Sequence, residues 1–165
     1  MAQQYRELAQ KHFLAATNEV VMRLDTATGD VVWKQHIPGA SGYLVTLLTD
    51  LDRVYVGTAG RVACLDAKSG DVIWCTDVDK LDEPVSLALD PRPPGVHLIA
   101  SSAGMLFGLD GESGALLWHD GLSGMGYHPV CLRVEGGIVA QPRTRRVKSG
   151  DSTTTQVLES EQEES

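Results

Sequence analysis

The side chains that most often act in catalysis or bind metal ions do not form a known kind of site in this sequence. The histidines show neither a His-Glu-x-x-His nor a His-x-His spacing, which would indicate zinc; they are His12, His36, His97, His119 and His128. Two aspartate pairs, Asp50/Asp52 and Asp77/Asp79, do not continue into a calcium loop with a glycine and a bidentate glutamate. The glycine-rich segment 121–126 lacks the lysine that ends a phosphate-binding loop. The sequence therefore predicts no catalytic residue, no metal site and no cofactor.

One pattern does recur, and it contains all three tryptophans of the chain. It reads Leu-Asp-x-x-Thr/Ser-Gly-x-x-x-Trp, and its successive copies are 41 and 44 residues apart. That spacing is typical of the four-stranded blades of β-propellers, which repeat every 40 to 50 residues or so. The repeated residues are Asp25, Gly29, Trp33, Asp66, Gly70, Trp74, Asp110, Gly114 and Trp118.

Each copy of the pattern predicts a tight β-hairpin. The aspartate can accept hydrogen bonds from backbone amides of the turn, and the glycine tolerates a positive φ. The flanking runs are apolar at consecutive positions, which indicates strands covered on both faces, as when sheets stack on one another. We therefore expect the tryptophans to fill the spaces between neighbouring sheets. Residues 43–48, 53–57, 85–89 and 96–100 supply the further strands of the two complete units.

The repeat resembles the PQQ-like β-propeller repeat, the tryptophan-docking motif of the quinoprotein dehydrogenase superfamily, which also occurs in bacterial outer-membrane assembly lipoproteins. The resemblance covers residues 12–141 and implies an all-β fold. It implies a partial β-propeller of about three four-stranded antiparallel blades plus half of a fourth. The expected units are about 12–37, 43–78, 84–120 and 128–141, between a polar extension (1–11) and a tail predicted to be disordered (142–165).

The two ends of the repeat array are expected to be incomplete. The first unit lacks a recognisable first strand, and the fourth stops before its tryptophan. About three and a quarter blades do not close a propeller, which typically needs four to eight. Exposed terminal blade faces need a cover. Either the chain self-associates, for example as a two-fold, six-bladed assembly formed by strand exchange, or it is a piece of a longer propeller.

A group of aromatic, hydroxyl and imidazole side chains is expected around one mouth of the propeller. Loops between blades and loops between the second and third strands share one face of this fold, and such a mouth suits a sugar, a peptide or another small polar ligand. A purely structural role for the same side chains remains the alternative. The residues are Tyr43, Thr58, Ser102, Tyr127 and His128.

The composition narrows the class of partner. Fourteen basic and 22 acidic residues give a net charge of −8, which argues against nucleic acid and against anionic membranes. No apolar run approaches the roughly 20 residues of a membrane helix, and Met1 to Lys11 does not resemble a secretory signal. We expect a cytoplasmic protein in which Cys64, Cys75 and Cys131 are reduced thiols.

The resemblance to quinoproteins suggests PQQ, calcium and a general-base carboxylate, but those enzymes use a larger closed propeller. The adjacent cysteines that lie over their cofactor are also absent from this sequence. We therefore expect a non-catalytic binding or scaffold module that acts through contacts with a protein partner or a second copy. The alternatives are a remnant or subunit of a quinoprotein-like dehydrogenase and a lectin-like binder of a small ligand.

Overall fold

The computed structural model describes residues 11–39, 45–78, 83–90, 95–126, 128, 130–140, 143–149 and 152–158. All regular structure in these ranges is β-strand. The described residues include no helix with the length and apolar character needed to cross a bilayer. The strands are β1 (His12–Thr17), β2 (Val20–Asp25), β3 (Val31–His36), β4 (Thr46–Asp50), β5 (Arg53–Thr58), β6 (Arg61–Asp66), β7 (Val72–Asp77), β8 (Ser86–Asp90), β9 (His97–Ser102), β10 (Met105–Asp110), β11 (Leu116–Asp120), β12 (Ile138–Ala140), β13 (Arg143–Ser149) and β14 (Ser152–Leu158).

Three antiparallel sheets follow one another along the chain and form a partial β-propeller. Blade 1 contains β1 to β3, blade 2 contains β4 to β7, and blade 3 contains β8 to β11 with β12 added beside β8. Within β1 to β3, β4 to β7 and β8 to β11, consecutive strands are neighbours, so each of these three sets is a meander, and β12 joins blade 3 at the free edge of β8. The all-β prediction and the partial propeller are confirmed.

The repeated pattern forms the turn between the last two strands of each blade. In blade 2, the backbone amides of Lys68 and Ser69 donate to Asp66 Oδ1 at 2.9 and 2.7 Å. The amide of Gly70 donates to the Asp66 carbonyl at 2.8 Å, and Gly70 has a φ of +83°, a conformation that favours glycine. The other two turns have the same arrangement around Asp25 and Asp110. A register shift just before each turn, at the same position in all three blades, reorients the strand that carries the tryptophan.

The hydrophobic core consists of two layers, one at each junction between blades. Between blades 1 and 2, Val21, Trp33 and Ile37 pack against strands β5 and β6. Between blades 2 and 3, Tyr55 and Trp74 pack against strands β8 to β10. Because both faces of blade 2 lie in these layers, its central strands are apolar at consecutive positions.

The residues expected to begin a fourth blade add a strand to blade 3 instead. Within residues 128 and 130–140, the described part of the predicted unit 128–141, only Ile138–Ala140 forms a strand, and it pairs antiparallel with Leu87 to Leu89. This pairing satisfies the edge of β8 that β9 leaves open. A Cβ at Gly137 would clash with the carbonyl oxygen of Leu89, so the glycine permits the close approach.

The described part of residues 142–165 forms a two-stranded hairpin. Strand β13 pairs with β14 in continuous register from Arg143↔Leu158 to Ser149↔Ser152. The segment contains β-branched Thr and Val residues, which favour extended backbone.

Candidate functional site

The described residues offer little to nucleophilic or metal chemistry. They contain no group of three or more His, Cys, Asp or Glu side chains able to hold a metal ion. Burial raises the pKa of the Cys64 thiol to about 11, and burial also raises the pKa of Cys75. Both thiols therefore stay protonated at neutral pH, which is the unreactive form.

Three of the five residues predicted to surround a mouth lie in the part of the chain that the structure describes: Thr58, Ser102 and His128. Tyr43 and Tyr127 lie outside the described residues. Thr58 and Ser102 end the second strands of their blades and are buried, and the Ser102 hydroxyl donates to the Glu83 carbonyl at 3.1 Å. Glu83 lies in the segment that enters blade 3, and its carbonyl accepts from both the Gly60 amide and the Ser102 hydroxyl, so this segment crosses both strand ends. A ligand-binding role for the five residues stays a prediction. Of the five residues, only His128 is described and exposed.

The repeated tryptophans instead build the junctions between blades. At the first junction, the indole N–H of Trp33 donates to the carbonyl of Ala67, in the turn of blade 2, at 3.2 Å. The ring lies over Gly70 of that turn, where an added Cβ would be only 2.6 Å from it. Arg23 donates to the same Ala67 carbonyl at 2.6 Å.

The second junction repeats this geometry one blade further along. The indole N–H of Trp74 donates to the carbonyl of Gly111 at 3.2 Å, and a Cβ at Gly114 would be 2.5 Å from the ring. The Tyr55 hydroxyl also donates to Gly111, at 3.3 Å, and the Thr76 hydroxyl donates to the Gly114 carbonyl at 2.7 Å. A junction therefore has two halves: a tryptophan on one blade, and on the next blade a turn carbonyl with a glycine that accepts the ring.

The third tryptophan has no turn to dock on within the described residues. Trp118 pairs with Gly108 in the register in which Trp74 pairs with Cys64. Its ring lies back over Gly108 of its own blade, yet 44% of the residue is exposed, compared with 9% for Trp33 and for Trp74. We call this surface, Trp118 lying over Gly108, the trailing face. It is the tryptophan half of a junction.

Blade 1 presents the opposite half. Its turn residues Thr26 to Gly29 are exposed, and no described atom lies within 4 Å of a Cβ built on Gly29. Gly29 has a φ of +75°, close to the +83° of Gly70. The turn is therefore formed and ready to accept a ring, but it holds none. The Thr26 carbonyl occupies the position of the Ala67 carbonyl.

An apolar side chain beside this turn is exposed because no described blade packs against this side of blade 1. The cross-strand pair Val54↔Leu65 of blade 2 is buried against blade 1, with Val54 only 1% exposed. Phe13↔Leu24 is the equivalent pair of blade 1, and Phe13 is 46% exposed. We call Phe13, Leu24 and the 25–29 turn the leading face. Phe13 lies 41 residues before Val54, and this repeat spacing is the signal in the sequence that relates the two positions.

The turn aspartates make the hairpins sensitive to acid. Backbone hydrogen bonds from Ser69 and Lys68 hold the pKa of Asp66 below its ordinary value of 3.8, against some desolvation, and similar bonds lower the pKa values of Asp25 and Asp110. A folded-state pKa below the unfolded value stabilises the fold above that value. This contribution is lost as the pH falls through the folded-state pKa.

We therefore expect Asp66→Asn to weaken the loss of stability below about pH 4, because the amide oxygen still accepts hydrogen bonds but does not titrate. The measurement is the urea midpoint between pH 7 and acid. Asp71→Asn is the matched control, since the Asp71 carboxylate accepts from the Ser69 hydroxyl and from no turn amide that the structure records. Equal acid dependence in Asp66→Asn and the unmodified chain would contradict the assignment.

A family model and a curated relative match the sequence of this chain. The family model described as "Outer membrane protein assembly factor BamB" (PQQ_2) matches residues 17–123 and again residues 60–161. Quinohemoprotein alcohol dehydrogenase ADH IIB of Pseudomonas putida is 30% identical over 115 residues, which are 59% of this chain and 17% of that protein.

Solved structures with a similar fold include BamB from Moraxella catarrhalis, with a TM-score of 0.49 and 20% identity, covering 67% of this chain and 32% of that one. Quinohemoprotein alcohol dehydrogenase from Comamonas testosteroni gives a TM-score of 0.48 and 22% identity over 66% of this chain and 19% of that one. The chain spans no more than a third of any of these proteins. The family model matches most of the residues of this chain, and the repeated junctions fit a propeller repeat. The chain therefore belongs to the family of PQQ-like propeller repeats whose model is described as "Outer membrane protein assembly factor BamB".

Proposed function

We propose that this chain is a non-catalytic propeller-repeat module that works through protein–protein contacts made by its leading and trailing faces. The observation that carries the proposal is the exposure of Trp118 at the register where Trp33 and Trp74 are 9% exposed. A large aromatic with an indole donor gains most when another protein surface covers it and accepts its N–H.

The apolar surface at both ends supports the same conclusion. Phe13 at the leading face and Trp118 at the trailing face are the side chains whose equivalents are buried between blades. Scattered apolar side chains need no explanation, but these lie at positions where the repeat buries them elsewhere. Exposed apolar surfaces of this kind mark interaction sites.

The second candidate is a quinoprotein-like role, favoured by the 30% identity to a quinohemoprotein alcohol dehydrogenase. The described residues do not fit PQQ with calcium. They offer no cluster of three metal-binding side chains, and Cys64, Cys75 and Cys131 are not adjacent in the sequence. If this chain formed one side of the cofactor site of a larger enzyme, other parts of that enzyme would have to supply the missing metal ligands.

A lectin-like role would have to do without the hydroxyls of Thr58 and Ser102, because both residues are buried.

A titration of the purified chain with PQQ and calcium separates these candidates. We expect no saturable change in the PQQ absorbance and no dye-linked oxidation of primary alcohols above a buffer control. Stoichiometric PQQ binding together with alcohol oxidation would overturn the non-catalytic proposal. Parallel samples of a known quinoprotein dehydrogenase provide the positive control for the cofactor and the dye.

A further inference from the structure

The two open faces of the chain are the two halves of one junction. The trailing face carries a tryptophan whose ring and indole N–H lack a turn among the described residues. The leading face carries a formed turn whose Gly29 accepts no ring. Each face therefore offers what the other lacks, and both halves belong to the same chain.

The chain forms this junction twice within itself, so its geometry is known. Both times the indole N–H donates at 3.2 Å to the carbonyl of the residue after the turn aspartate. Both times a glycine with positive φ lies under the ring, where a Cβ would come within 2.5 or 2.6 Å. At the leading face the corresponding atoms are the Thr26 carbonyl oxygen and Gly29.

The geometry of the two internal junctions defines what kind of surface can cover Trp118 at the trailing face. That surface must carry an unoccupied turn carbonyl beside a positive-φ glycine, together with apolar strands to cover the indole. The leading face of a second copy has all of them, and it continues the interface already present between blades. Two copies joined at both ends would contain six blades, within the four to eight of closed propellers. Such a ring leaves neither face open, which is how a two-fold assembly terminates.

We propose that Trp118 of one copy docks on the 25–29 turn of a second copy, with its indole N–H donating to the Thr26 carbonyl and its ring covering Gly29. Two such junctions then close a two-fold dimer of six blades. The proposal rests on the proposed function and gives the partner surface a specific identity. It does not require strand exchange, because strand β12 already pairs with β8 of its own blade.

The first test measures the molar mass of the full chain by size-exclusion chromatography with light scattering. At about 100 μM a junction with a micromolar Kd is filled, so we expect a mass twice the 17.8 kDa of the chain.

Trp118→Ala removes one half of each junction, and Gly29→Asn places a side chain under the ring while tolerating the positive φ. Each variant should shift the chain to monomer. Leu51→Ala, which truncates an exposed leucine in blade 2 that belongs to neither face, should remain a dimer.

A mixing experiment then tests which halves meet. An equimolar mixture of Trp118→Ala and Gly29→Asn chains can form one intact junction, between Trp118 of the Gly29→Asn chain and the unmodified turn of the other. We expect the mixture to regain dimers that neither variant forms alone, with weaker association than the unmodified chain. A dimer that survives both substitutions, a mixture that stays monomeric, or a mass above two copies would overturn the inference.

These outcomes are separate from those of the proposed function. A wild-type chain that is monomeric at about 100 μM, and that shows no PQQ binding, would overturn the self-docking and leave a module that contacts another protein. PQQ-dependent alcohol oxidation would overturn the proposed function whatever the molar mass.

Discussion

Trp74→Ala is expected to lower the free energy of unfolding by about 3 to 5 kcal/mol, the range for truncating a buried large aromatic side chain. Trp74 is 9% exposed between blades 2 and 3, where its ring lies 6.2 Å from that of Tyr55, centroid to centroid. Truncation leaves a cavity in the larger core layer and removes the indole N–H from the Gly111 carbonyl. The measurement is urea denaturation followed by far-ultraviolet circular dichroism.

Trp118→Ala is the matched control for this prediction. It removes the same side chain at the same register, but from a surface where 44% of the residue is exposed. Measured below micromolar concentration, where a micromolar dimer dissociates, its cost should be about 1 kcal/mol or less. A loss below about 1 kcal/mol for Trp74→Ala, or equal losses for the two variants, would contradict the docking assignment.

Gly114→Ala is expected to lower the free energy of unfolding by about 3 kcal/mol, because two costs add. Gly114 has a φ of +72°, which strains any residue with a Cβ. The added methyl would also lie 2.5 Å from the Trp74 ring, which is held by its hydrogen bond and cannot move away freely. The midpoint of thermal or urea unfolding reports the loss.

Gly29→Ala separates the two costs. Gly29 has nearly the same φ, +75°, but no described atom within 4 Å of the added Cβ. We expect only the backbone term, about 1 to 2 kcal/mol, when the chain is dilute enough to be monomeric. Equal losses for Gly29→Ala and Gly114→Ala would mean that the Trp74 ring moves aside, and that the glycine serves the turn alone.

Each half of the junction could be predicted from the repeat because the residues of one half are close together in the sequence. The aspartate, the glycine and the tryptophan of each copy lie within ten residues, so one hairpin fixes their relative positions. The spacing of 41 and 44 residues then identified the unit that stacks. The turns around Asp25, Asp66 and Asp110 have the predicted hydrogen bonds.

The burial of Thr58 and Ser102 could not be predicted from the strands that carry them. Thr58 and Ser102 are small polar residues at strand ends, which is the usual position for side chains that line a mouth. Whether a strand end faces solvent depends on the segment that crosses it, and here the Glu83 carbonyl accepts from both the Gly60 amide and the Ser102 hydroxyl. A pattern along one strand contains no information on that crossing segment.

By itself, the sequence determined that three hairpins of one design carry tryptophans at one register, since short-range hydrogen bonds and side-chain alternation suffice for that. Only the tertiary structure decided which tryptophans are covered, because burial depends on whether a neighbouring turn is present in space. It also decided that Ile138–Ala140 joins β8 rather than beginning a new blade. The reason is that the unpaired N–H and C=O groups of an edge strand can pair with any segment that lies beside them, and which segment lies there depends on the folded chain.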